Sequence, residues 1–242
     1  MSTRFLASVS NVEEAATVLA AGADIIDIKD PCRGALGAVD PLITEAIVKD
    51  VAGRVMTSAT VGDLPMHVPC LSRALDAVKM TGVDIIKVGV FTQTLPADIL
   101  QLIERYTASG NRIVLVLFAD LKPRLDDFTL LANAGVYGVM LDTSDKTQGS
   151  LRTILDDTVL NRFIRQAQHS GLLTGLAGSL ALSDIQSLLK ISPDYIGFRG
   201  ALCSDNHRIN SIDIQAVHTI RAMIPSHEFV VPEIQNPMFS VN

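Results

Sequence analysis

Short apolar runs alternate along this chain with longer amphipathic segments. The apolar runs predict eight β-strands, at residues 4–9, 25–28, 54–61, 85–88, 113–118, 138–141, 173–176 and 195–198. The helical period predicts helices between them, among others at residues 12–21, 71–80, 96–109, 153–170 and 182–189. Strands that alternate with helices in series indicate parallel strands and crossover helices. The length of 242 residues suits a single α/β domain folded as a (β/α)8 TIM barrel, typically about 250 residues long.

The ends of alternate strands repeat a short pattern, which strengthens the barrel prediction. The pattern occurs at residues 22–29, 82–89, 135–142 and 192–199. Its alignment places Lys29, Asp142 and Arg199 at one strand position, with Asp27 and Lys87 two residues earlier. Side chains two residues apart share one face of a strand. Unless the repetition is chance, we expect all five to meet at the carboxyl-terminal mouth, where TIM barrels carry their chemistry.

Composition narrows the class of protein. A net charge of −6 without a basic block argues against nucleic acid as a partner. The three cysteines are widely spaced and form neither a disulfide framework nor a zinc motif, so a reducing cytoplasm is the simpler setting. No apolar stretch approaches the roughly 20 residues that span a bilayer, which predicts a soluble protein without a membrane partner. We expect one domain over residues 1–242, a homo-oligomer, and neither metal nor other cofactor.

Charged side chains at the predicted strand ends indicate chemistry on a carbonyl substrate. Asp27 lies two residues from Lys29 and can exchange protons with its amine while an imine forms, although an exposed ion pair is the alternative. Lys87 lies within an apolar run, where a lysine is costly unless it faces a polar cavity or extends its amine to solvent. Burial and a neighbouring lysine favour the neutral, nucleophilic amine, so either lysine could form the imine. Asp142 is a candidate general acid or base, with Lys146 as its partner or as a phosphate contact.

Two glycine-rich turns follow the seventh and eighth predicted strands. They contain Gly178 and Ser179 in the first turn, and Arg199 and Gly200 in the second. Barrels often bind phosphate here, because glycines let backbone amides approach the anion, and an arginine adds a positive fork. The two turns together predict a phosphorylated ligand. Lys122 after the fifth strand is a weaker candidate, for which a place on the loop surface is equally expected.

As a set, these motifs resemble the (5-formylfuran-3-yl)methyl phosphate synthase family of methanofuran biosynthesis. The resemblance spans nearly the whole chain and is carried by Asp-Ile-Lys-Asp-Pro and Gly-Ala-Leu-Gly within residues 27–37, Ile-Lys-Val-Gly at 86–89, Met-Leu-Asp-Thr at 140–143 with Lys146, Gly-Leu-Ala-Gly-Ser-Leu at 175–180 and Gly-Phe-Arg-Gly-Ala-Leu at 197–202. It implies a TIM barrel that converts two molecules of glyceraldehyde 3-phosphate into 4-(hydroxymethyl)-2-furancarboxaldehyde phosphate, losing one phosphate and water. It also implies a Schiff base on Lys29, with Asp27, Lys87, Asp142 and Lys146 in the active site.

Three alternatives stay open at this point. Another class I aldolase acting on a phosphosugar would share the imine lysine and the phosphate turns. A decarboxylase or epimerase barrel would use acid–base pairs without an imine. A non-catalytic phosphate-binding barrel would need positive charge but not the interleaved carboxylates. The C-terminal segment 224–242 carries no chemistry that we can assign, and we expect it to cover the barrel or an oligomer contact.

Overall fold

Eight parallel strands close into one barrel in this computed structural model, which describes residues 3–126 and 128–225. Each strand pairs with its neighbours in chain order, and the last pairs with the first. The strands are β1 Arg4–Val9, β2 Ile25–Ile28, β3 Met56–Thr60, β4 Ile85–Val90, β5 Ile113–Phe118, β6 Gly138–Asp142, β7 Leu173–Leu176 and β8 Tyr195–Phe198. The predicted (β/α)8 barrel is confirmed, although the third strand is shorter than predicted and the fourth longer.

Helices follow the strands and pack around the barrel. They are α1 Val12–Ala20, α2 Pro41–Val51, α3 Val68–Lys79, α4 Ala97–Ala108, α5 Phe128–Asn133, α6 Leu151–Ile154, α7 Asp157–His169, α8 Ile185–Lys190 and α9 Ile214–Met223. The single helix predicted over residues 153–170 is wrong, because the chain is extended at Leu155 and Asp156 caps a new helix. The Asp156 carboxylate accepts a hydrogen bond from the Val159 amide at 2.9 Å, which satisfies one of the orphan amides at that helix start.

The interior of the barrel is apolar below and charged above. Ile25 and Ile85 belong to a buried apolar cluster inside the barrel. Two residues further along the same strands stand Asp27 and Lys87, whose side chains point to the same face. A separate and larger apolar core fills the space between the barrel and its helices. The strand alternation therefore places a charged layer above an apolar floor, directly below the carboxyl-terminal mouth.

Two predictions about the chain as a whole go beyond these residues. The described residues form one barrel, while the predicted single domain over 1–242 includes residues 226–242, which lie outside the described part. The expectation that the segment 224–242 covers the barrel or an oligomer contact concerns mostly the same residues, 226–242, and stays a prediction for them, while Ile224 is buried in the core. Within the described ranges, no helix combines the length and the apolar character needed to cross a membrane.

Candidate active site

A buried ion pair forms the floor of the site. The Nζ atom of Lys87 donates to Oδ1 of Asp27 at 3.0 Å, and the two side chains are 2 % and 0 % exposed. Ser58 on β3 donates to the same oxygen at 2.6 Å, and Ser8 on β1 donates to Oδ2 at 3.0 Å. The predicted meeting of Asp27 and Lys87 is therefore observed, within a set of donors from strands β1, β3 and β4.

These contacts keep the Asp27 carboxyl ionised. Burial opposes ionisation, but the charges of Lys87 and Lys29 and the hydrogen bonds from Ser58 and Lys87 outweigh it, so the pKa of Asp27 lies below its ordinary value. Lys87 is the ion-pair partner of this carboxylate, at 3.0 Å. The pair is thus a fixed pair of opposite charges within the barrel.

Lys29 and Asp142 line a cavity of about 660 Å³ above that pair. Lys29 directly follows β2, and Asp142 is the last residue of β6. These two strands are four positions apart in an eight-stranded barrel, so the two residues approach the cavity from opposite walls. The two residues are 7 % and 1 % exposed. The Thr143 amide donates to Oδ1 of Asp142 at 2.7 Å and orients the carboxylate.

The loop after β6 is fixed by a neighbouring carboxylate. Asp120 accepts hydrogen bonds from the amides of Ser144 and Asp145, both at 2.8 Å, and from the Ser144 hydroxyl. Burial opposes ionisation of Asp120, but these hydrogen bonds outweigh it and lower its pKa. The loop continues into a short 3-10 helix, Lys146–Gln148. The side chain of Lys146 lies outside the described atoms, so its predicted role stays a prediction, while Lys122 is exposed.

The turn after β7 brings bare backbone to the cavity. Gly178 and Ser179 line it, as does Gly200 after β8. The amides of these three residues donate to no acceptor within the described residues. Gly178 has a φ of +106°, and a Cβ atom there would lie 3.0 Å from the Thr143 amide nitrogen, so only glycine fits without strain. These amides are available to an anion that enters the cavity.

Arg199 has a different environment from the one its sequence position suggests. It lines the cavity, but its guanidinium forms a bidentate pair with Glu14 at 2.6 and 3.0 Å. Its remaining N–H groups donate to the carbonyl oxygens of Ser8, Arg208 and Asn210. All five donors are therefore occupied within the protein. Arg199 forms part of the wall, but its charge is paired with Glu14 and no N–H group is left for the predicted direct contact with phosphate.

Several residues of the site were absent from the sequence prediction. Ser8 carries a signal, since it is a polar position in the mostly apolar strand β1. Ser58 carries little, because it lies between other polar residues in β3, Met-Thr-Ser-Ala-Thr. Glu14 gives none, because an acid in the first turn of a helix ordinarily faces solvent. Arg208 lines the cavity from a loop that has no periodic pattern. Sequence periodicity finds what lies on strands and misses what loops and helices bring to the mouth.

Comparison with known proteins identifies the family. Residues 5–221 match the family model for 4-HFC-P synthase. A provisionally named (5-formylfuran-3-yl)methyl phosphate synthase of Methylorubrum extorquens is 42% identical over 223 residues, which cover 90% of this chain and 92% of that protein. The (5-formylfuran-3-yl)methyl phosphate synthase of Methanosarcina acetivorans is 34% identical over 217 residues, with 85% and 92% covered.

Solved structures agree on the fold. A 3-hexulose-6-phosphate synthase superposes with a TM-score of 0.65 at 15% identity, and the match covers 92% of this chain and 100% of that one. A 3-keto-L-gulonate-6-phosphate decarboxylase from Vibrio cholerae gives a TM-score of 0.64 at 13% identity, with 93% and 98% covered. These likenesses support the TIM barrel alone, whereas the match over residues 5–221 and the identities above extend to the sequence. The chain belongs to the (5-formylfuran-3-yl)methyl phosphate synthase family of enzymes.

Proposed function

We propose that this enzyme condenses two molecules of glyceraldehyde 3-phosphate into 4-(hydroxymethyl)-2-furancarboxaldehyde phosphate through an imine on Lys29. Two triose phosphates supply the atoms of the furan product, one inorganic phosphate and two water molecules. The observation that carries the proposal is the position of Lys29 in this chain, which belongs to the family: Lys29 lines the cavity, directly above the buried pair of Asp27 and Lys87. The proposal needs no metal or other cofactor.

Access favours Lys29 over Lys87 as the nucleophile. Lys87 is committed to the Asp27 carboxylate, and neither of these residues is among those that line the cavity. An amine that attacks a carbonyl must reach it, and its ammonium must first lose a proton. In our proposal Lys87 and Asp27 keep their charges throughout and fix the electrostatic field beneath Lys29.

The steps follow from the imine. Attack of the Lys29 amine on the aldehyde and loss of water give an imine, which withdraws electrons from the adjacent carbon. Asp142 on the opposite wall is our candidate for the proton transfers at that carbon, with Lys146 as a second acid or a phosphate contact. Loss of a proton from that carbon expels the phosphate of the first triose and leaves an enol imine whose terminal carbon is nucleophilic. This carbon adds to the carbonyl of the second triose phosphate, isomerised to its ketone. Ring closure of the free hydroxyl of the second triose onto the ketone of the first, loss of two water molecules and hydrolysis of the imine release the product.

The phosphate of the product needs a site that does not react. We assign it to the backbone amides of Gly178, Ser179 and Gly200, which face the cavity without an acceptor in the described residues. Charge-assisted hydrogen bonds from backbone N–H groups hold an anion well. Arg199, whose charge is paired with Glu14, supports the same wall by holding the backbone of Arg208 and Asn210 rather than by a direct contact with phosphate.

Trapping the imine tests the proposal. The purified protein is incubated with glyceraldehyde 3-phosphate, with and without borohydride, and the products and peptides are identified by mass spectrometry. We expect a furan aldehyde phosphate and a reduced adduct on Lys29, both lost in Lys29→Arg. The control Lys190→Arg changes an exposed helix lysine and should keep both.

The other outcomes are distinct. An adduct without a furan would indicate another class I phosphosugar aldolase. Neither adduct nor furan would reject the imine and leave an acid–base barrel or a non-catalytic phosphate-binding barrel. The cytoplasmic location and the homo-oligomer remain part of the proposal, and light scattering on the purified protein tests the second.

A further inference from the structure

A second arginine reaches across the mouth of the cavity. Arg208 lies in the loop after β8 and lines the cavity with Lys29 and Asp142. Its Nη2 atom donates to the carbonyl oxygen of Gly34 at 2.7 Å. Gly34 belongs to the loop after β2, shortly beyond Lys29. The Arg208 side chain therefore extends from the β8 side of the mouth to the side that carries the proposed nucleophile.

Both ends of this bridge are held in place. Arg199 donates from Nε to the backbone carbonyl of Arg208 at 2.8 Å. At the other end, Asp63 accepts from the amides of Ala35 and Leu36 at 2.8 and 2.7 Å. A Cβ atom on Gly34 would lie 2.0 Å from Oδ2 of Asp63, so this loop has little room to move. The guanidinium of Arg208 is thus anchored at the mouth of the cavity by its contact with Gly34.

Arg208 has donors to spare, unlike Arg199. Only the contact with Gly34 uses one of its N–H groups among the described residues, whereas Arg199 uses all five. Burial lowers the pKa of Arg208. The Asp142 carboxylate opposes this lowering, and the Arg199 charge adds to it. A guanidinium nevertheless stays charged at any pH the enzyme meets. The result is a partly desolvated cation with several donors facing a cavity, a strong site for a phosphate.

We propose that Arg208 binds the phosphate that is expelled, while the turns at Gly178 and Gly200 hold the phosphate that is kept. This inference rests on the proposed function, which brings two phosphorylated trioses into one cavity. Two phosphate groups repel each other and need separate positive sites. The β7 and β8 turns supply one site, and Arg208 supplies the other beside the loop that begins at Lys29.

The chemistry of the imine explains why a cation is needed there. In glyceraldehyde 3-phosphate, one carbon separates the aldehyde carbon from the carbon that bears the ester. Loss of a proton from the intervening carbon to a base leaves its electron pair to form a carbon–carbon double bond. The ester carbon–oxygen bond breaks, and its electron pair leaves on the phosphate oxygen. Arg208 would neutralise the charge that develops on this oxygen, as preorganised donors do in other enzymes.

Removal of the guanidinium tests this assignment. Arg208→Gln removes the charge, Arg208→Lys keeps the charge without the fork, and Arg33→Gln is a control in the loop after β2, where the Arg33 side chain is exposed. For each variant, inorganic phosphate release, furan formation and the mass of the borohydride adduct on Lys29 are measured. Melting temperatures show whether each variant folds.

We expect Arg208→Gln to lower phosphate release and furan formation by about 10²–10³-fold, the typical effect of losing one such donor. A Lys29 adduct that still carries phosphate should accumulate, Arg208→Lys should recover part of the rate, and Arg33→Gln should match the wild type. Phosphate release at the wild-type rate in a folded Arg208→Gln would overturn the inference. So would an adduct on Lys29 that forms as slowly as the furan and never carries phosphate, because the loss would then lie in imine formation. A wild-type enzyme that makes no furan would instead reject the proposed function.

Discussion

Substitution of Asp27 by asparagine should destabilise the protein strongly. The asparagine would keep the shape of the side chain and an acceptor oxygen for one of the two serine hydroxyls, with its NH2 group facing the other, but it would leave the Lys87 ammonium without its counter-charge. A buried lysine without a partner is costly, because the protein interior solvates an ammonium poorly. The main effect of Asp27→Asn is therefore to isolate a charge rather than to open a cavity.

The geometry sets the magnitude. The two side chains are almost fully buried, with 3.0 Å between Nζ and Oδ1. Breaking such a pair from one side costs about 3–5 kcal/mol. At about 2–4 °C for each kcal/mol in a domain of 150–250 residues, the melting temperature should fall by roughly 6–20 °C. Replacing both partners should cost much less, because an uncharged pair of similar volume often substitutes without loss.

Urea unfolding of four proteins checks this reasoning: the wild type, Asp27→Asn, Lys87→Met and the double variant. We expect each single variant to lose several kcal/mol and the double variant to recover most of it, giving a coupling energy above about 1 kcal/mol. Glu45→Gln is the matched control, since the Glu45–Lys49 pair at 2.7 Å is 44% and 74% exposed and is worth about 0.3–0.5 kcal/mol. The reasoning is refuted if Asp27→Asn costs no more than Glu45→Gln, or if the second substitution restores nothing.

Three further predictions concern pH, the phosphate turn and the arginine wall. Because the pKa of Asp27 is lowered in the folded state, its contribution to stability is complete above the ordinary value of 3.8 and is lost as pH falls below it, so Asp27→Asn should show a shallower acid limb in urea midpoints measured from pH 7 to pH 3. Gly178→Ala combines a φ of +106° with a Cβ contact of 3.0 Å and should cost about 1–3 kcal/mol and raise KM, whereas Gly110→Ala, with a φ of +87° and nothing within 4 Å, should leave KM unchanged. Glu14→Gln leaves the buried Arg199 guanidinium without its carboxylate and should cost about 3–5 kcal/mol in urea unfolding, and a loss below 1 kcal/mol would contradict the structural role we assign to that pair.

The barrel was predictable because its signals are periodic and local. Most strands are short apolar runs, and the long helices show an apolar stripe, so the alternation of the two can be recognised without tertiary contacts. The helix break at Asp156 could not be predicted in the same way. An aspartate within an amphipathic pattern is equally expected on the solvent face of one long helix and at the cap of a new one. The choice between them depends on where the preceding turn packs, and only the folded chain shows that.

The candidate site was predictable to the extent that strands carry it. In a barrel of parallel strands, the position of a residue along its strand sets how far it lies from the mouth. Residues near equivalent strand ends, such as Asp27 and Lys87, therefore come together once the barrel closes. Arg199 shows the limit of that argument: its position was predicted, but its partner Glu14 is 185 residues away on a helix. Arg208 lies on a loop and bridges 174 residues to Gly34, a contact for which the sequence carries no pattern.

The charges of the site are arranged by depth, and depth separates their roles. Asp27 and Lys87 are buried below the cavity, Lys29 and Asp142 line it, and Arg208 crosses its mouth. A buried ion pair is weak support for stability, since apolar residues of the same volume would serve as well. If Asp27→Asn with Lys87→Met restores stability but forms no imine on Lys29, the pair is retained for the field it creates beneath the nucleophile. If the double variant is both stable and active, that explanation is wrong, and the chemistry belongs to the cavity wall alone.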